Sequence, residues 1–338
     1  MRHAGIVMFG CALSAAWLSR LCFSRPRQKT VALLREQQGR GLRVPEEEQT
    51  KQTHQITQED ARAVALLAQA GKQGRWKRAS QVWRSYMGSS VTVFTAAMQA
   101  AYRCGQYLQG AEIYDQLREL PPEQVDIDSI SLQIGMKVFG KLRNESRVDA
   151  IYKEVQEKGW YSMLTAGARL DAAAEMGDVE GAARLLDDMM QRRITTNINH
   201  FNSALNACKN AEPPSSNAAV YLFNALRDRG MKPTVVTFTN LVRACRAAPL
   251  PRIQQIRSDL ALSKLQPDKV LAEAYVAALF FGKIRQQTTL DGFRTLLLDM
   301  DDARQDELRS ALREFDALGV LTGLCRTAKK ALSRSEPP

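Results

Sequence analysis

Ile198-Asn199-His200-Phe201-Asn202-Ser203-Ala204-Leu205-Asn206-Ala207-Cys208 and Val235-Val236-Thr237-Phe238-Thr239-Asn240-Leu241-Val242-Arg243-Ala244-Cys245 are one pattern written twice, 37 residues apart. Apolar residues recur in both at helical spacing, so each predicts an amphipathic helix. A second helical stretch, Ala218 to Arg229, follows the first copy and closes with Gly230-Met231-Lys232-Pro233-Thr234. Two short helices in about 35 residues cannot bury their apolar faces alone. They must stack on copies of themselves, so the period predicts an all-α fold: a superhelical solenoid of helix-turn-helix repeats with a long groove. Such a groove suits a binding surface better than an enzyme pocket.

Further units appear on either side of this pair. Val91 to Cys104-Gly105 is a helix followed by a second with Ala111, Ile113, Tyr114 and Leu117 on one face. Ser129 to Ser162 and Met163 to Asn197 repeat the arrangement, the latter with Ala182, Leu185, Leu186 and Met189 as its second apolar face. Ala61 to Ala70 with Gly74-Arg75-Trp76 and Trp83 reads as a degenerate first unit, and Val235 to Asp268 as the last clear one. About six repeats therefore span 57–268. Beyond 269 the periodicity blurs into helices richer in charge, and 269–335 reads as a C-terminal helical cap. A solenoid needs such a polar end to remain soluble.

Composition narrows the function classes. Hydrophobic residues at 45% and charged residues at 25% describe a chain able to fold. Cys11, Cys22, Cys104, Cys208, Cys245 and Cys325 form no C-x-x-C pair, and His3, His54 and His200 neighbour none of them in sequence, so no metal site is legible. The net charge of +11 resembles a nucleic-acid footprint until it is divided. Residues 1–43 carry eight Lys/Arg against Glu36 alone, a surplus of +7; the remainder holds 39 basic and 35 acidic residues, or +4. Bulk charge thus speaks more of targeting than of RNA.

That basic, acid-poor start is the composition of an organelle presequence. The apolar run Gly5 to Leu18 is short for a membrane span. It also fits a signal-peptide core, a bipartite plastid leader or a membrane anchor. We expect residues 1–50 to be a targeting segment and linker directing the chain to the mitochondrion, with the plastid as alternative, and no stable membrane insertion once it is removed.

The repeats resemble the pentatricopeptide (PPR) family. Gly230-Met231-Lys232-Pro233-Thr234 followed by Val235-Val236-Thr237-Phe238-Thr239-Asn240-Leu241 is close to that family's end-of-repeat and first-helix pattern, and Ala79, Trp83, Ala219, Leu222 and Phe223 are similar to its second helix. The Trp-Leu-Gly-Tyr signature of the competing tetratricopeptide repeat is absent. The resemblance implies a non-catalytic, P-type protein without a cofactor that binds single-stranded organellar RNA sequence-selectively, one base per repeat. Its roles would be RNA processing, stabilisation or translation, with other RNA-processing proteins as further partners. A helical scaffold for protein partners is the alternative.

The same resemblance names candidate positions. The fifth residue of a unit and its last residue read a base together: Thr95 with Asp128, Gln133 with Ser162, Gly167 with Asn197, Asn202 with Thr234, and Thr239 with Asp268. The threonine–aspartate pairs imply guanine. In the Val91 unit Asp126 competes with Asp128 for the last place. The second residues, Thr92, Ile130, Leu164, Asn199 and Val236, would pack on base faces. Helix starts select Thr, Asn and Asp as caps anyway, and an apolar residue at a helix start is also ordinary core. Arg103, Lys137, Lys209 and Arg243 are candidates for phosphate contacts. Enzymatic relatives would need a zinc-binding His-x-Glu with Cys-x-x-Cys, which is missing; Asp299, Asp301 and Asp302 point to different sides of any helix they share.

A fusion of residues 1–50 to a fluorescent reporter should localise to mitochondria on imaging; diffuse cytosolic fluorescence would refute the targeting assignment.

Overall fold

The computed structural model describes residues 57–122 and 125–333; the expected targeting segment lies outside them. Sixteen helices and no strand occur among the described residues. The first twelve alternate as inner and outer members of six pairs: α1 (Gln58–Lys72) with α2 (Trp76–Ser85), α3 (Val91–Arg103) with α4 (Tyr107–Glu119), and α5 (Ser129–Lys141) with α6 (Glu145–Glu157). Then come α7 (Met163–Met176) with α8 (Val179–Gln191), α9 (Ile198–Asn210) with α10 (Ser216–Asp228), and α11 (Val235–Ala244) with α12 (Leu250–Leu262). The helix borders differ from the sequence-based ones by a few residues at most.

Each odd-numbered helix packs on the next odd-numbered one, α1 on α3 through to α11, whereas even-numbered helices pack chiefly on their own partner and on the following odd helix. A stack with one row in closer contact bends toward that row. The odd-numbered helices therefore line the concave side. Small residues permit the approach. A Cβ built on Gly140 of α5 would lie 2.7 Å from the Ala172 Cα of α7, and one on Gly71 of α1 2.9 Å from the Ala100 Cα of α3. Polar side chains tie the same row together. Ser203 Oγ donates to Asp171 Oδ1 at 2.7 Å, Asn210 Nδ2 to the Ala174 carbonyl at 2.8 Å, and Asn240 Nδ2 to the Asn202 carbonyl at 3.2 Å.

The apolar faces between the rows form an almost continuous core. Phe223 of α10 meets Phe238 of α11 edge-on at 5.2 Å, so each unit's outer helix is sealed by the next unit's inner helix. Cys208 and Cys245 are buried in this core as free thiols, and burial pushes them up to about 12 and about 11. They are packing residues rather than nucleophiles.

The blurred C-terminal region resolves into α13 (Lys269–Leu279), α14 (Leu290–Leu298), α15 (Asp302–Ala317) and α16 (Gly323–Ser333). Helix α13 packs on α11 as α11 packs on α9, so the inner row extends one helix beyond the sixth pair. Helix α15 is fastened to α12 and α13: Arg257 pairs with Glu307 at 2.6 Å and with Glu314, and Tyr275 Oη donates to Glu307 at 2.7 Å. Of the three neighbouring aspartates, Asp301 caps α15 by accepting the Arg304 N–H at 2.8 Å.

If the Gly140–Ala172 contact sets the inner row, Gly140→Leu must push α5 from α7. Overpacking of this kind costs about 1–3 kcal/mol, so thermal unfolding followed by circular dichroism should show a lowered midpoint, and an unchanged one would contradict the close approach.

Candidate nucleic-acid interface

The last residue of each unit turns out to be the N-cap of the next inner helix. Asp128, Ser162, Asn197, Thr234 and Asp268 all hold extended backbone. Their side chains accept the N–H three residues on, from Ser131 at 2.7 Å, Thr165 at 3.3 Å, His200 at 3.3 Å, Thr237 at 3.3 Å and Leu271 at 2.7 Å. The competition in the Val91 unit resolves in favour of Asp128, because Asp126 is an exposed loop residue. A cap contributes about 1 kcal/mol, so helix initiation alone accounts for these residue types. The caps differ in what they leave over. Asp128 and Asp268 bind their helices through Oδ1 and keep a second carboxylate oxygen. The single hydroxyl of Thr234 is shared between the Thr237 N–H and the Thr237 hydroxyl at 3.1 Å.

The fifth residues fall into different surroundings. Thr95 is half-buried and linked to its junction partner through Ser131: Thr95 Oγ1 lies 2.9 Å from Ser131 Oγ, which donates to Asp128 Oδ1 at 2.5 Å. The Thr239–Asp268 junction lacks this relay because Leu271 stands where Ser131 does. Thr239 is buried and donates instead to the Val235 carbonyl of its own helix at 2.8 Å. Asn202 Oδ1 is shielded from solvent without a hydrogen-bond partner among the described residues. Gly167 faces His200, whose Nε2 would sit 3.2 Å from an added Cβ; burial lowers the pKa of that imidazole. Gln133 is half-buried.

The second residues are not core. Thr92 and Asn199 are exposed, and so are Ile130 (54%), Leu164 (63%) and Val236 (57%). Val270 of α13 (50%) takes the same place and was missed in the sequence, although Pro267-Asp268-Lys269-Val270 repeats the register of Pro233-Thr234-Val235-Val236. An apolar side chain left in water at one register of successive inner helices is an exposed stripe, not a packing detail.

Comparison with known proteins now bears on this geometry. Residues 170–247 match the family model described as the pentatricopeptide repeat domain. Those residues are thus similar to pentatricopeptide repeats. Among solved structures, two of the pentatricopeptide repeat protein PPR10 in complex with an 18-nt psaJ RNA element, one a triple Cys-to-Ser variant, match with a TM-score of 0.54. In both, identity is 17% and the alignment covers 82% of this chain and 38% of that chain. A third, PPR10 from maize, matches with a TM-score of 0.45 at 18% identity, covering 80% of this chain and 41% of that one. The chain thus spans about two-fifths of the length of the solved proteins it resembles, and the likeness is one of fold.

Along the floor of the inner row runs a groove of about 320 Å³, lined by Tyr102, Lys137, Asp171, Asn202, Asn240 and their neighbours. Its middle is self-neutralised. Lys137 pairs with Asp171 at 3.4 Å and Lys141 with Glu175 at 2.5 Å. Lys137 is therefore a poorer phosphate contact than its position suggested. Lys209 and Arg243 have no ion-pair partner among the described residues. Burial and then the adjacent Arg243 lower the pKa of Lys209, and burial and then Arg285 lower that of Arg246. The Arg246 guanidinium is held by the Lys209 carbonyl at 2.8 Å and the Arg243 carbonyl at 3.1 Å. Acids answer these cations in part, Glu175 beside Lys209 and Glu212 beside Arg246. Arg103 is exposed at the end of α3. Among the described residues no group of three His, Cys, Asp or Glu side chains is placed to hold a metal ion.

The Thr95–Ser131–Asp128 relay has a measurable consequence. Ser131→Ala removes both side-chain bonds of a buried hydroxyl while sparing the cap, which should lower unfolding free energy by about 1 kcal/mol; Leu271→Ala, a cavity mutation at the matching place, should cost about 2–5 kcal/mol. Denaturant unfolding of the two variants would check the contrast, and unchanged stability of Ser131→Ala would show that the hydroxyl chain contributes nothing.

Proposed function

We propose that this chain is a non-catalytic, P-type pentatricopeptide repeat protein that binds single-stranded RNA sequence-selectively in an organelle, acting in RNA processing, stabilisation or translation. The observation that carries this reading is the exposed stripe Ile130, Leu164, Val236 and Val270, each set two residues beyond its junction cap. Apolar contacts beside hydrogen-bonding groups suit unstacked bases, whose flat faces bury against aliphatic side chains at about 25 cal/mol per Å² of apolar area. The RNA complexes formed by PPR10, a protein of the same repeat fold, support the ligand class.

Donor and acceptor inventory refines the reading. A carboxylate only accepts, so the second oxygens of Asp128 and Asp268 suit a base edge that presents N–H donors, as guanine does. Thr95 beside Asp128 makes that junction the better formed of the two. Asn202, with an unused amide oxygen, accepts or donates after rotation of the amide and suits a base of mixed edge. Thr234, its hydroxyl committed to the cap, adds little to that pair. The basic, acid-poor residues 1–43 support delivery to the mitochondrion, with the plastid as alternative. A protein-binding scaffold is the second reading, favoured by the paired charges Lys137–Asp171 and Lys141–Glu175 in the middle of the groove.

Asp128→Asn with Asp268→Asn tests the first reading without disturbing the helices, since asparagine caps as well as aspartate does. Unfolding should shift by less than about 0.5 kcal/mol, while affinity for a guanine-rich single strand falls about tenfold or more, the loss of one to two charge-assisted hydrogen bonds. Fluorescence anisotropy with guanine-rich and adenine-rich RNA would measure it. Unaltered affinity for both, together with no RNA recovered after crosslinking in cells, would favour the scaffold.

A further inference from the structure

The positive charge of this chain is concentrated in one place in the fold. Between Ala61 and Ala111 there are seven Lys/Arg and no acid, while residues 112–338 hold 31 basic and 30 acidic side chains. Six of the seven, Arg62, Lys72, Arg75, Lys77, Arg78 and Arg84, belong to the first helix pair, and every one is exposed; the acids of that pair are Glu59 and the buried Asp60, both at the start of α1. Ion pairs among the described residues begin only at Asp115.

The outer helix α2 shows how the charge is presented. Lys77, Arg78 and Arg84 share an exposed face with Gln81, and Lys72 and Arg75 continue it into the α1–α2 turn. The opposite face is turned inward: Ala79 is buried, Trp76 and Val82 pack on the core, and the Trp83 ring meets Phe94 at 4.7 Å. The other outer helices, α4, α6, α8, α10 and α12, each carry at least one acid. An end unit needs a polar outer face, but mixed charges provide that without self-repulsion. Uniform cations are the costlier choice unless a polyanion neutralises them.

The chemistry of the face selects among polyanions. A helix that docks on a membrane surface carries Trp, Phe or Leu on its exposed side to enter the interface, and the tryptophans of α2 point into the core. A protein partner would seek apolar or aromatic anchors at the centre of the patch, and Lys77, Arg78, Gln81 and Arg84 offer none. Phosphodiester backbone asks only for exposed, spaced cations, each neutralising a phosphate and releasing its counterion.

We propose that the exposed face of α2 and the α1–α2 turn form a second RNA-binding surface, which grips the phosphate backbone of RNA flanking the segment held by the inner row and reads no bases. It rests on the proposed RNA-binding function for the identity of the polyanion, and its test separates the two. The full chain and the variant Lys77→Gln with Arg78→Gln and Arg84→Gln are compared on two probes, a duplex RNA of about 20 base pairs and a guanine-rich single strand of about 8 nucleotides. The three positions are exposed, so helix content by circular dichroism should match wild type. Duplex affinity at low salt should fall at least about tenfold, and the slope of its salt dependence by about 2 to 3, as expected for three lost phosphate contacts. Single-strand affinity should change less than about threefold, whereas Asp128→Asn with Asp268→Asn should give the reverse pattern. Failure of the base-reading proposal would appear only in that last variant. Equal duplex binding by wild type and the triple variant would overturn the inference. So would a triple variant that keeps duplex binding but loses binding to phosphatidylcholine vesicles containing about one-third phosphatidylserine.

Discussion

Everything in this structure depends on how closely the inner helices approach one another. Glycine at 140 against the Ala172 backbone, and at 71 against that of Ala100, lets the row close on one side while the outer helices spread. That curvature places the second residues of successive helices, from Thr92 to Val270, at one register of a concave face. With bulkier residues at the contacts the helices would still form, since their caps and apolar stripes are local. Their starts would no longer be aligned, and an aligned series of helix starts is what a single strand could follow.

Helix initiation imposes a second constraint on the same residues. An inner helix needs an acceptor at its N-cap, and that position is also the last residue of the preceding repeat. Asp, Asn, Ser and Thr satisfy the cap about equally well, but they do not leave equal capacity for a ligand. A carboxylate caps with one oxygen and keeps the other; a hydroxyl is committed. The junctions at Asp128 and Asp268 therefore retain an unused acceptor oxygen, whereas those at Ser162 and Thr234 are spent on the fold. Hydrogen-bonding capacity along the row is accordingly uneven, greater at Asp128 and Asp268 and least near Gly167, which offers no side chain at all.

Much of this was legible in the sequence because its causes are local. Helical periodicity, glycine at unit ends and the Lys-Pro-Thr junction gave the pairs and the residues at the unit junctions from Asp128 to Asp268. What was hidden depends on contacts across units. Val270 escaped notice because α13 lacks a regular outer partner, and α14 to α16 take that place instead. The fastening of α15 by Arg257, Glu307 and Glu314 spans 50 and 57 residues, beyond any periodic signal. The inward turn of the Thr239 hydroxyl follows from Leu271 standing where Ser131 stands in the other junction, a comparison that needs the two helices side by side. The pairing of Lys137 with Asp171 likewise reads, in sequence, as two unrelated surface charges.

The charge distribution carries the argument furthest. Divided at residue 43, the rest of the chain is nearly balanced at +4, which removes bulk charge as a support for a nucleic-acid partner. Divided by structural unit, that balance is the average of a first pair that is strongly cationic and a remainder that is neutral. Long-range attraction acts through local surface potential rather than through net charge, and at physiological salt it is screened within about 8 Å. Exposed cations on the α2 face lie close enough to act together, and the acids of the same unit, Glu59 and the buried Asp60, sit at the start of α1 rather than on that face. An RNA meeting the α2 face would encounter cations alone. In the middle of the inner groove, by contrast, Lys137 and Lys141 are held in pairs with Asp171 and Glu175, so the cations there are answered within the fold.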